Sequence, residues 1–200
     1  MVIPLFERPF LFLRHGETET NATDRVTGWM DLPLTARGRD QAQAAAERLA
    51  ALPGPLRPAS LWCSPLRRAR DTAQPVAGAL GLAPHLLAGL KERGWGALEG
   101  GPRSALVRDE TPPGGEGPET FHARVAAALA EIDGPPPVLI VAHSGVARVL
   151  HALIGGDAPY LRPGNGQILL WAPQPRGGWQ AQPVDGIGPP RFCHGSVAPG

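Results

Sequence analysis

Three apolar runs in the sequence are each followed by residues that can attack or bind a phosphoryl group. They are Arg14, His15 and Gly16 after residues 10–13, Ser64, Arg67 and Arg68 after residues 60–63, and His143 and Ser144 after residues 138–142. Short, fully apolar runs are typical of buried parallel strands. Because ligands bind at the carboxyl ends of such strands, we expect these residues to converge in one crevice. Imidazoles, guanidiniums and helix N-termini at one point indicate a site for a compact anion, most simply a phosphoryl group.

The two histidines, His15 and His143, indicate a covalent route for phosphoryl transfer. One neutral imidazole attacks phosphorus in line, while the other is expected to be cationic and to lie with the arginines against the equatorial oxygens. The leaving oxygen then needs a proton, for which a carboxylic acid is the natural donor. Glu92 and Glu99, in the Gly-rich segment 90–100, are the candidates, and their spacing alone does not choose between them.

No metal-ligand pattern surrounds these histidines. The sequence has no His-Glu-x-x-His motif, acidic residues do not cluster with the two histidines, and Cys63 and Cys193 fit no metal spacing. We therefore expect neither a metal nor another cofactor. The cysteine usage further predicts a reduced, cytoplasmic protein in which Cys63 is a small buried thiol.

The segments that must position these residues alternate between strands and helices. Strands are predicted at residues 10–13, 60–63, 138–142 and 167–171. The first predicted helix is capped by Thr35 and ends at Pro53 and Gly54. The second has Ser64 as its N-cap and Pro65 in its first position, and it is kinked or divided at Pro75. Two more are predicted at residues 121–132 and 146–154. This alternation predicts an α/β protein: a three-layer α/β/α fold with a largely parallel central sheet.

Length, composition and charge narrow the possible partners. The 200 residues, 42% of them hydrophobic, are enough for a single core, and 19 Lys and Arg against 18 Asp and Glu leave a net charge of +1. A chain with so little net charge is expected to bind neither nucleic acid nor an anionic membrane, and its oligomeric state stays open. Residues 1–13 predict no membrane span and no export signal. The Gly/Pro-rich tail 173–200 is expected to hold little regular structure beyond a strand near Trp179.

Residues 14–21 (RHGETETN) resemble the Arg-His-Gly-x-Thr-x-x-Asn motif of the histidine phosphatase superfamily, which includes cofactor-dependent phosphoglycerate mutases and many small phosphatases. Further matching segments follow in the family's order, at residues 27–35, 64–73, 92–100, 115–116 and 141–143. The resemblance covers about residues 9–171. It implies a phosphoglycerate mutase-like domain over residues 1–172, with residues 173–200 as an extension of the same domain.

The resemblance also implies a role for individual residues. His15 is the implied phosphorylated nucleophile and Glu92 the implied acid and base. The residues implied to hold the phosphoryl group are Arg14, Arg68 and His143, and those implied to line the substrate site are Gly16, Asn21, Thr27, Gly28 and Ser144. Arg68 is selected over Arg67 because the family's arginine directly precedes an alanine, here Ala69.

One departure from the mutase pattern favours hydrolysis. The mutases carry a longer insertion after the position of Gly100, with adjacent arginines for the substrate carboxylate, whereas here only residues 101–114 intervene and Arg103 and Arg108 are not adjacent. We therefore predict a metal-independent phosphomonoesterase acting through phosphohistidine on a small phosphorylated metabolite. The alternatives are a phosphoglycerate mutase and a non-catalytic module that binds a phosphorylated ligand. Sugar phosphates, nucleotides, a cobalamin precursor and a phosphohistidine protein all stay open as substrates.

Overall fold

The computed structural model describes residues 3–175 and 177–184. Within them the strands are β1 (Phe10–Arg14), β2 (Ser60–Cys63), β3 (Pro84–Leu86), β4 (Val138–Ala142), β5 (Ile168–Pro173) and β6 (Trp179–Pro183). The helices are α1 (Glu19–Ala22), α2 (Ala36–Ala50), α3 (Arg67–Leu80), α4 (Pro118–Glu131) and α5 (Ser144–Ile154). Short 3-10 helices lie at Pro4–Glu7, Gly54–Leu56, Ala88–Leu90, Gly96–Leu98 and Arg103–Ala105.

The strands form one sheet in the order β3-β2-β4-β1-β5-β6. Strands β3, β2, β4 and β1 run parallel, whereas β5 and β6 are antiparallel to their neighbours. Val141 of β4 lies opposite both Leu13 of β1 and Cys63 of β2. Strands β2, β4 and β1 therefore end together at one edge of the sheet, and the prediction of a largely parallel sheet is confirmed.

Helices cover both faces of this sheet. Successive residues of a strand point to opposite faces, so a single strand contributes side chains to a core on each side. Phe10 and Phe12 of β1 belong to a core with residues of α4 and α5. Leu11 and Leu13 of the same strand belong to a second core with residues of α2 and α3. Both faces of β1 are thus buried, as its unbroken apolar sequence requires, and the three-layer α/β/α prediction is confirmed.

The first residues of α2 and α3 test the predicted helix caps. Thr35 caps α2 as predicted, because its Oγ1 accepts a hydrogen bond of 3.0 Å from the amide of Gly38. The predicted cap at Ser64 is wrong, since α3 begins at Arg67 and its N-cap is Leu66. Pro75 was predicted to kink or divide this helix, and the division is wrong, because Pro75 lies inside one continuous helix of 14 residues.

The remaining elements differ from the prediction mainly at their ends. Helix α5 starts at Ser144, two residues before the predicted start, so its first turn lies directly in the predicted crevice. Strand β3 was not predicted, because it is three residues long, exposed and begins with Pro84. Strand β6 confirms the strand near Trp179, while Cys193 and the rest of the tail lie outside the described residues. No helix in the described part is long and apolar enough to cross a membrane.

Candidate active site

The ends of β1, β4 and β2 bring His15, His143 and Ser64 together. The two imidazole rings have their centroids 5.1 Å apart, and Nε2 of His143 lies 2.7 Å from Oγ of Ser64. The backbone continues the sheet here, since the amide of His15 donates to the carbonyl of Ala142. Ser64 was predicted as a helix cap, and its hydroxyl instead fixes the orientation of the second imidazole.

His15 has one ring nitrogen whose role is set by its partner. Nδ1 lies 2.7 Å from the carbonyl oxygen of Gly16, which can only accept, so Nδ1 carries the proton. Burial lowers the pKa of His15 well below its ordinary value, and the cations of Arg68 and Arg14 lower it further. The imidazole is therefore neutral near pH 7, and its unprotonated atom is Nε2. This is the protonation state that an imidazole nucleophile needs.

Arg14 and Arg68 place two buried positive charges beside this imidazole. Among the described residues their side chains donate only to backbone carbonyls, Arg14 to Pro163 and Arg68 to Met30 and Gly28. In both, Nε is buried without a hydrogen-bond partner, and within residues 3–175 and 177–184 neither forms an ion pair. Burial lowers both pKa values to about 10, so both side chains stay cationic at neutral pH. Glu92 acts on both guanidiniums from a distance without forming an ion pair, so these buried cations still favour an anionic ligand.

The charge of the second imidazole, His143, was predicted for a site that holds a phosphoryl group, and for that state it stays a prediction. Burial, the cation of Arg68 and the neighbouring His15 lower the pKa of His143 well below its ordinary value, so the ring is neutral rather than cationic in this structure. Its Nδ1 is buried and has no hydrogen-bond partner among the described residues. The expectation of a cationic His143 needs a bound anion, since only an added negative charge would offset two guanidiniums.

Glu92 and Glu99 lie in the same loop and have different partners. The carboxylate of Glu92 accepts hydrogen bonds from the amides of Arg93 (2.9 Å) and of Gly145 (3.0 Å), which ties the loop to the first turn of α5. One oxygen of Glu99 accepts from the amides of Trp29 (2.8 Å) and Trp95 (2.9 Å). Glu92 lines the crevice with Arg14 and Arg68, whereas Glu99 joins two loops beside it. The geometry therefore favours Glu92 as the proton donor that the spacing left undecided.

A single pocket brings together most of the predicted site residues. Its lining includes Arg14, Asn21, Thr27, Gly28, Arg68, Glu92 and Ser144. Gly16, His15 and His143 are not among the described residues that line it, and both histidines are buried. A methyl group on Gly16 would overlap the carbonyl oxygen of Gly38, so this glycine is required where the loop after β1 crosses the start of α2.

Two residues that support the site were not predicted as members of it. Arg124 of α4 donates to both carboxylate oxygens of Glu116 at 2.7 Å and to the carbonyls of Gly89, Lys91 and Glu92. Burial raises the pKa of Glu116, but the hydrogen bonds from Arg124 and Gly94 outweigh it and leave the pKa below its ordinary value. This Arg124–Glu116 pair holds the backbone of the Glu92 loop.

Asn165, in the loop between α5 and β5, is the second residue that supports the site and was not predicted as a member of it. Its Nδ2 donates to the carbonyl of His15 (3.1 Å) and to Oδ1 of Asn21 (3.0 Å). Asn165 lies 150 positions from His15 in the sequence, and the only local indication of a special role is its place between two glycines. The contact fixes the backbone that carries the histidine.

The fold and this crevice match one family of proteins. The sequence model of one protein family, the histidine phosphatase superfamily (branch 1), matches residues 10–165. The chain therefore belongs to the histidine phosphatase superfamily, and the resemblance seen in the sequence is confirmed.

The relatives of the chain include phosphatases. The chain is 34% identical over 171 residues to glucosyl-3-phosphoglycerate phosphatase of Mycobacterium tuberculosis, covering 74% of this chain and 75% of that protein. It is 36% identical over 170 residues to agropine synthesis reductase of Rhizobium rhizogenes, covering 80% of this chain but only 38% of that protein. The crystal structure of TTHB049 from Thermus thermophilus superposes with a TM-score of 0.68 at 33% identity, covering 86% of this chain and 98% of that one.

Proposed function

We propose that the protein is a metal-independent phosphomonoesterase that acts through a phosphohistidine intermediate on a small phosphorylated metabolite. The observation that carries this proposal is the tautomer of His15, whose Nε2 is unprotonated beside the unpaired cations of Arg14 and Arg68. A relative that is named for glucosyl-3-phosphoglycerate supports a small phosphorylated substrate.

The first half of the reaction forms the phosphoenzyme. Nε2 of His15 attacks phosphorus in line and the bond from phosphorus to the ester oxygen breaks, while Glu92 gives a proton to that oxygen and the alcohol leaves. Arg14, Arg68 and His143 bind the equatorial oxygens, on which negative charge is spread in the transition state. The two guanidiniums supply the charge stabilisation that a metal ion supplies in other phosphatases.

The second half returns the enzyme to its starting state. Glu92, now a carboxylate, removes a proton from water, and the water oxygen attacks phosphorus as the bond to Nε2 breaks. Orthophosphate leaves and His15 is again neutral with its proton on Nδ1. The net reaction is the hydrolysis of a phosphate ester to an alcohol and orthophosphate.

Rapid-quench labelling tests this proposal. Brief reaction with a phosphate ester labelled at phosphorus should give an acid-labile, base-stable phosphoenzyme, in buffers containing EDTA as well as without it. His15→Ala should abolish the labelled species and lower turnover by several orders of magnitude. His85→Ala is the matched control, because His85 is an exposed histidine on β3 that stacks on Trp62. A phosphoenzyme formed at the wild-type rate by His15→Ala would contradict the assignment.

A further inference from the structure

The carbonyl oxygen of Gly16 determines which nitrogen of His15 carries the proton, because Nδ1 donates to it at 2.7 Å. A neutral imidazole has one ring proton, so the bond made by one nitrogen sets the state of the other. If Nδ1 had no acceptor, the proton would also occupy Nε2, and Nε2 would then lack the lone pair with which it attacks phosphorus. Whatever holds this carbonyl in place therefore keeps the nucleophile ready for attack.

The carbonyl belongs to the peptide unit between Gly16 and Glu17. This unit is trans, so its C=O and its N–H point in opposite directions and turn together as one plane. The amide of Glu17 donates a hydrogen bond of 2.9 Å to Oε1 of Gln41. Through the peptide plane, Gln41 therefore fixes the direction of the carbonyl that accepts from His15.

Helix α2 brings Gln41 to this peptide. Gly38 and Gln41 are three residues apart and so lie on the same face of the helix. A methyl group on Gly38 would overlap the carbonyl oxygen of Glu17, which shows that the loop after β1 passes directly against this face. The amide of Thr35, the N-cap of α2, donates to the same carbonyl at 2.9 Å. The start of α2 thus binds both the N–H and the C=O of Glu17.

The peptide unit before Gly16 is held by a different helix. The amide of Gly16 donates to Oγ1 of the buried Thr72 at 2.9 Å, and that hydroxyl donates to the carbonyl of Arg68 at 2.7 Å. This contact ties the loop to α3. It leaves the next unit able to turn about the backbone of Gly16, which has no side chain to restrict it. The orientation of the Gly16 carbonyl therefore depends on the contact with Gln41.

The side chain of Gln41 is itself held in place outside the crevice. It is partly buried, and a methyl group on Gly166 would come within 2.7 Å of its Cβ, so its stem packs against the turn before β5. The amide of Gly166 in turn donates to the carbonyls of Arg14 (3.0 Å) and His15 (3.3 Å). Gln41 is not among the described residues that line the phosphoryl crevice. Its loss should then affect the nucleophile more than the binding of substrate.

We propose that Gln41 is a positioning residue for the nucleophile: it holds the peptide between Gly16 and Glu17, which keeps the proton of His15 on Nδ1 and leaves Nε2 unprotonated for attack. This inference rests on the proposed function and adds to it a side chain from outside the crevice. The sequence did not indicate it, because Gln41 lies 24 positions from Glu17 and is one of several polar residues in α2.

Nuclear magnetic resonance reads the tautomer of His15 without any substrate. Long-range correlation spectra of protein labelled at the histidine ring nitrogens show which nitrogen carries the proton, and His15→Gln identifies the signals of His15. Gln41→Met has only a weak acceptor, and Gln41→Asn has an amide that is one methylene too short. Both variants should raise the share of His15 that is protonated on Nε2. Gln41→Glu keeps a carboxyl oxygen at the same reach and should restore the wild-type tautomer.

Rapid-quench kinetics measures the effect on the reaction. Para-nitrophenyl phosphate is the substrate, because its leaving group needs little help and the rate of phosphoenzyme formation then reports the attack by His15. Gln41→Met and Gln41→Asn should each slow this step by about tenfold, the effect of one net hydrogen bond, with little change in the substrate concentration that gives half-saturation. Gln41→Glu should recover the rate to within about threefold of the wild type.

Gln43→Met is the matched control, because Gln43 is an exposed residue of the same helix whose amide donates to Glu47. It should keep the wild-type tautomer and rate. A general loss of helix stability would lower the activity of all these variants, and Gln41→Glu would not restore it.

The outcomes separate the two proposals. An unchanged tautomer of His15 in Gln41→Met and Gln41→Asn, or a loss of rate that Gln41→Glu does not restore, overturns the inference, while labelling of His15 in the wild type leaves the proposed function standing. A tautomer that shifts as expected in a protein that forms no phosphoenzyme supports the link between Gln41 and His15 and overturns the proposed function.

Discussion

The carboxylate of Glu92 is the group whose role the structure makes most directly testable. An alkoxide is a poor leaving group and needs a proton from Glu92 when the ester bond breaks. A nitrophenolate is a stable anion and leaves with little help. Glu92→Gln should therefore slow phosphoenzyme formation from an alkyl phosphate by about 10²- to 10⁴-fold while changing it little for para-nitrophenyl phosphate. Rapid quench with both esters measures this step directly.

Glu99→Gln is the matched control for that experiment. Glu99 accepts hydrogen bonds from two backbone amides of neighbouring loops, so its loss should affect both esters alike and lower thermal stability. Equal damage to both esters in Glu92→Gln would contradict the acid role and assign Glu92 a structural one.

The Arg124–Glu116 pair is predicted to position Glu92 without touching the substrate. Arg124→Lys keeps the charge but cannot reach the carboxylate and the three carbonyls at once. We expect kcat for an alkyl phosphate to fall by about ten- to a hundredfold with a smaller change in KM, because the acid is displaced rather than removed.

The selectivity for the leaving group distinguishes positioning from a merely structural role. A displaced acid harms alkyl esters more than para-nitrophenyl phosphate, whereas partial unfolding harms both. An equal loss for both esters, together with a lower melting temperature, would contradict positioning.

At the scale of elements, the first turn of α5 sets where Glu92 lies. A methyl group on Gly145 would overlap Oε1 of Glu92 and would also approach the ring of Phe121, at 3.1 Å. Gly145→Ala should therefore displace the carboxylate and lower kcat for alkyl phosphates by about a hundredfold in a protein that still folds. Steady-state kinetics with circular dichroism checks both parts.

Gly78→Ala provides the comparison, since Gly78 is exposed on α3 and a methyl group there meets nothing within 4 Å. It should keep full activity and raise the free energy of unfolding by about 0.5 to 1 kcal/mol. Wild-type activity in Gly145→Ala would show that Glu92 tolerates a shift of the helix end.

The predictable elements are those whose sequence is periodic or uniformly apolar. Strands β1, β2 and β4 were found with nearly correct ends because both of their faces are buried, and this alone placed His15, Ser64 and His143 at one edge of the sheet. The start of α3 was missed because the hydroxyl of Ser64 binds His143, which lies 79 residues away. A local rule for helix caps cannot anticipate a partner so distant in sequence.

The same limit applies inside the site. The choice between Glu92 and Glu99 depends on which backbone amides surround each carboxylate, and those amides come from Gly145 and Trp29. Spacing within one loop carries no information about them. The neutral state of His143 was also not predictable from residue types, because it results from burial and from the number of cations around it.

At the scale of the whole molecule, two buried neutral imidazoles make stability depend on pH. The folded-state pKa values of His15 and His143 lie well below 6.5, whereas in the unfolded chain both groups take up protons near that pH. Below about pH 6.5 the unfolded state therefore binds more protons, and the free energy of unfolding should fall by up to about 1.4 kcal/mol per pH unit for each imidazole.

Urea unfolding in a phosphate-free buffer between pH 7.5 and pH 5 measures this dependence of stability on pH. The range covers about two and a half pH units and stays above the pKa values of most carboxylates. The double variant His15→Gln and His143→Gln should show a much flatter dependence. A wild-type slope in that variant would place the titrating groups elsewhere in the molecule.

The surface around the crevice favours release of phosphate over its transfer back to a product. A mutase must keep water from the phosphoenzyme, whereas here Arg108, Arg148 and Arg162, which line a pocket beside the crevice, are exposed. Incubation with 3-phosphoglycerate and a trace of 2,3-bisphosphoglycerate should give more orthophosphate than isomer. Isomer formation that outpaces phosphate release would favour a mutase instead.

The side chain of Trp29 lies where its fluorescence can respond to movement of the Glu92 loop. Its ring is 42% exposed, its Nε1 donates to the carbonyl of Glu92 at 2.7 Å, and the ammonium of Lys91 lies 3.8 Å from the ring centroid. Any movement of the Glu92 loop changes the polarity and the charge around this indole. If the loop moves during turnover, the fluorescence of Trp29 should change, so the reaction can be followed with unmodified, colourless substrates. Trp29→Phe separates its signal from that of the other four tryptophans.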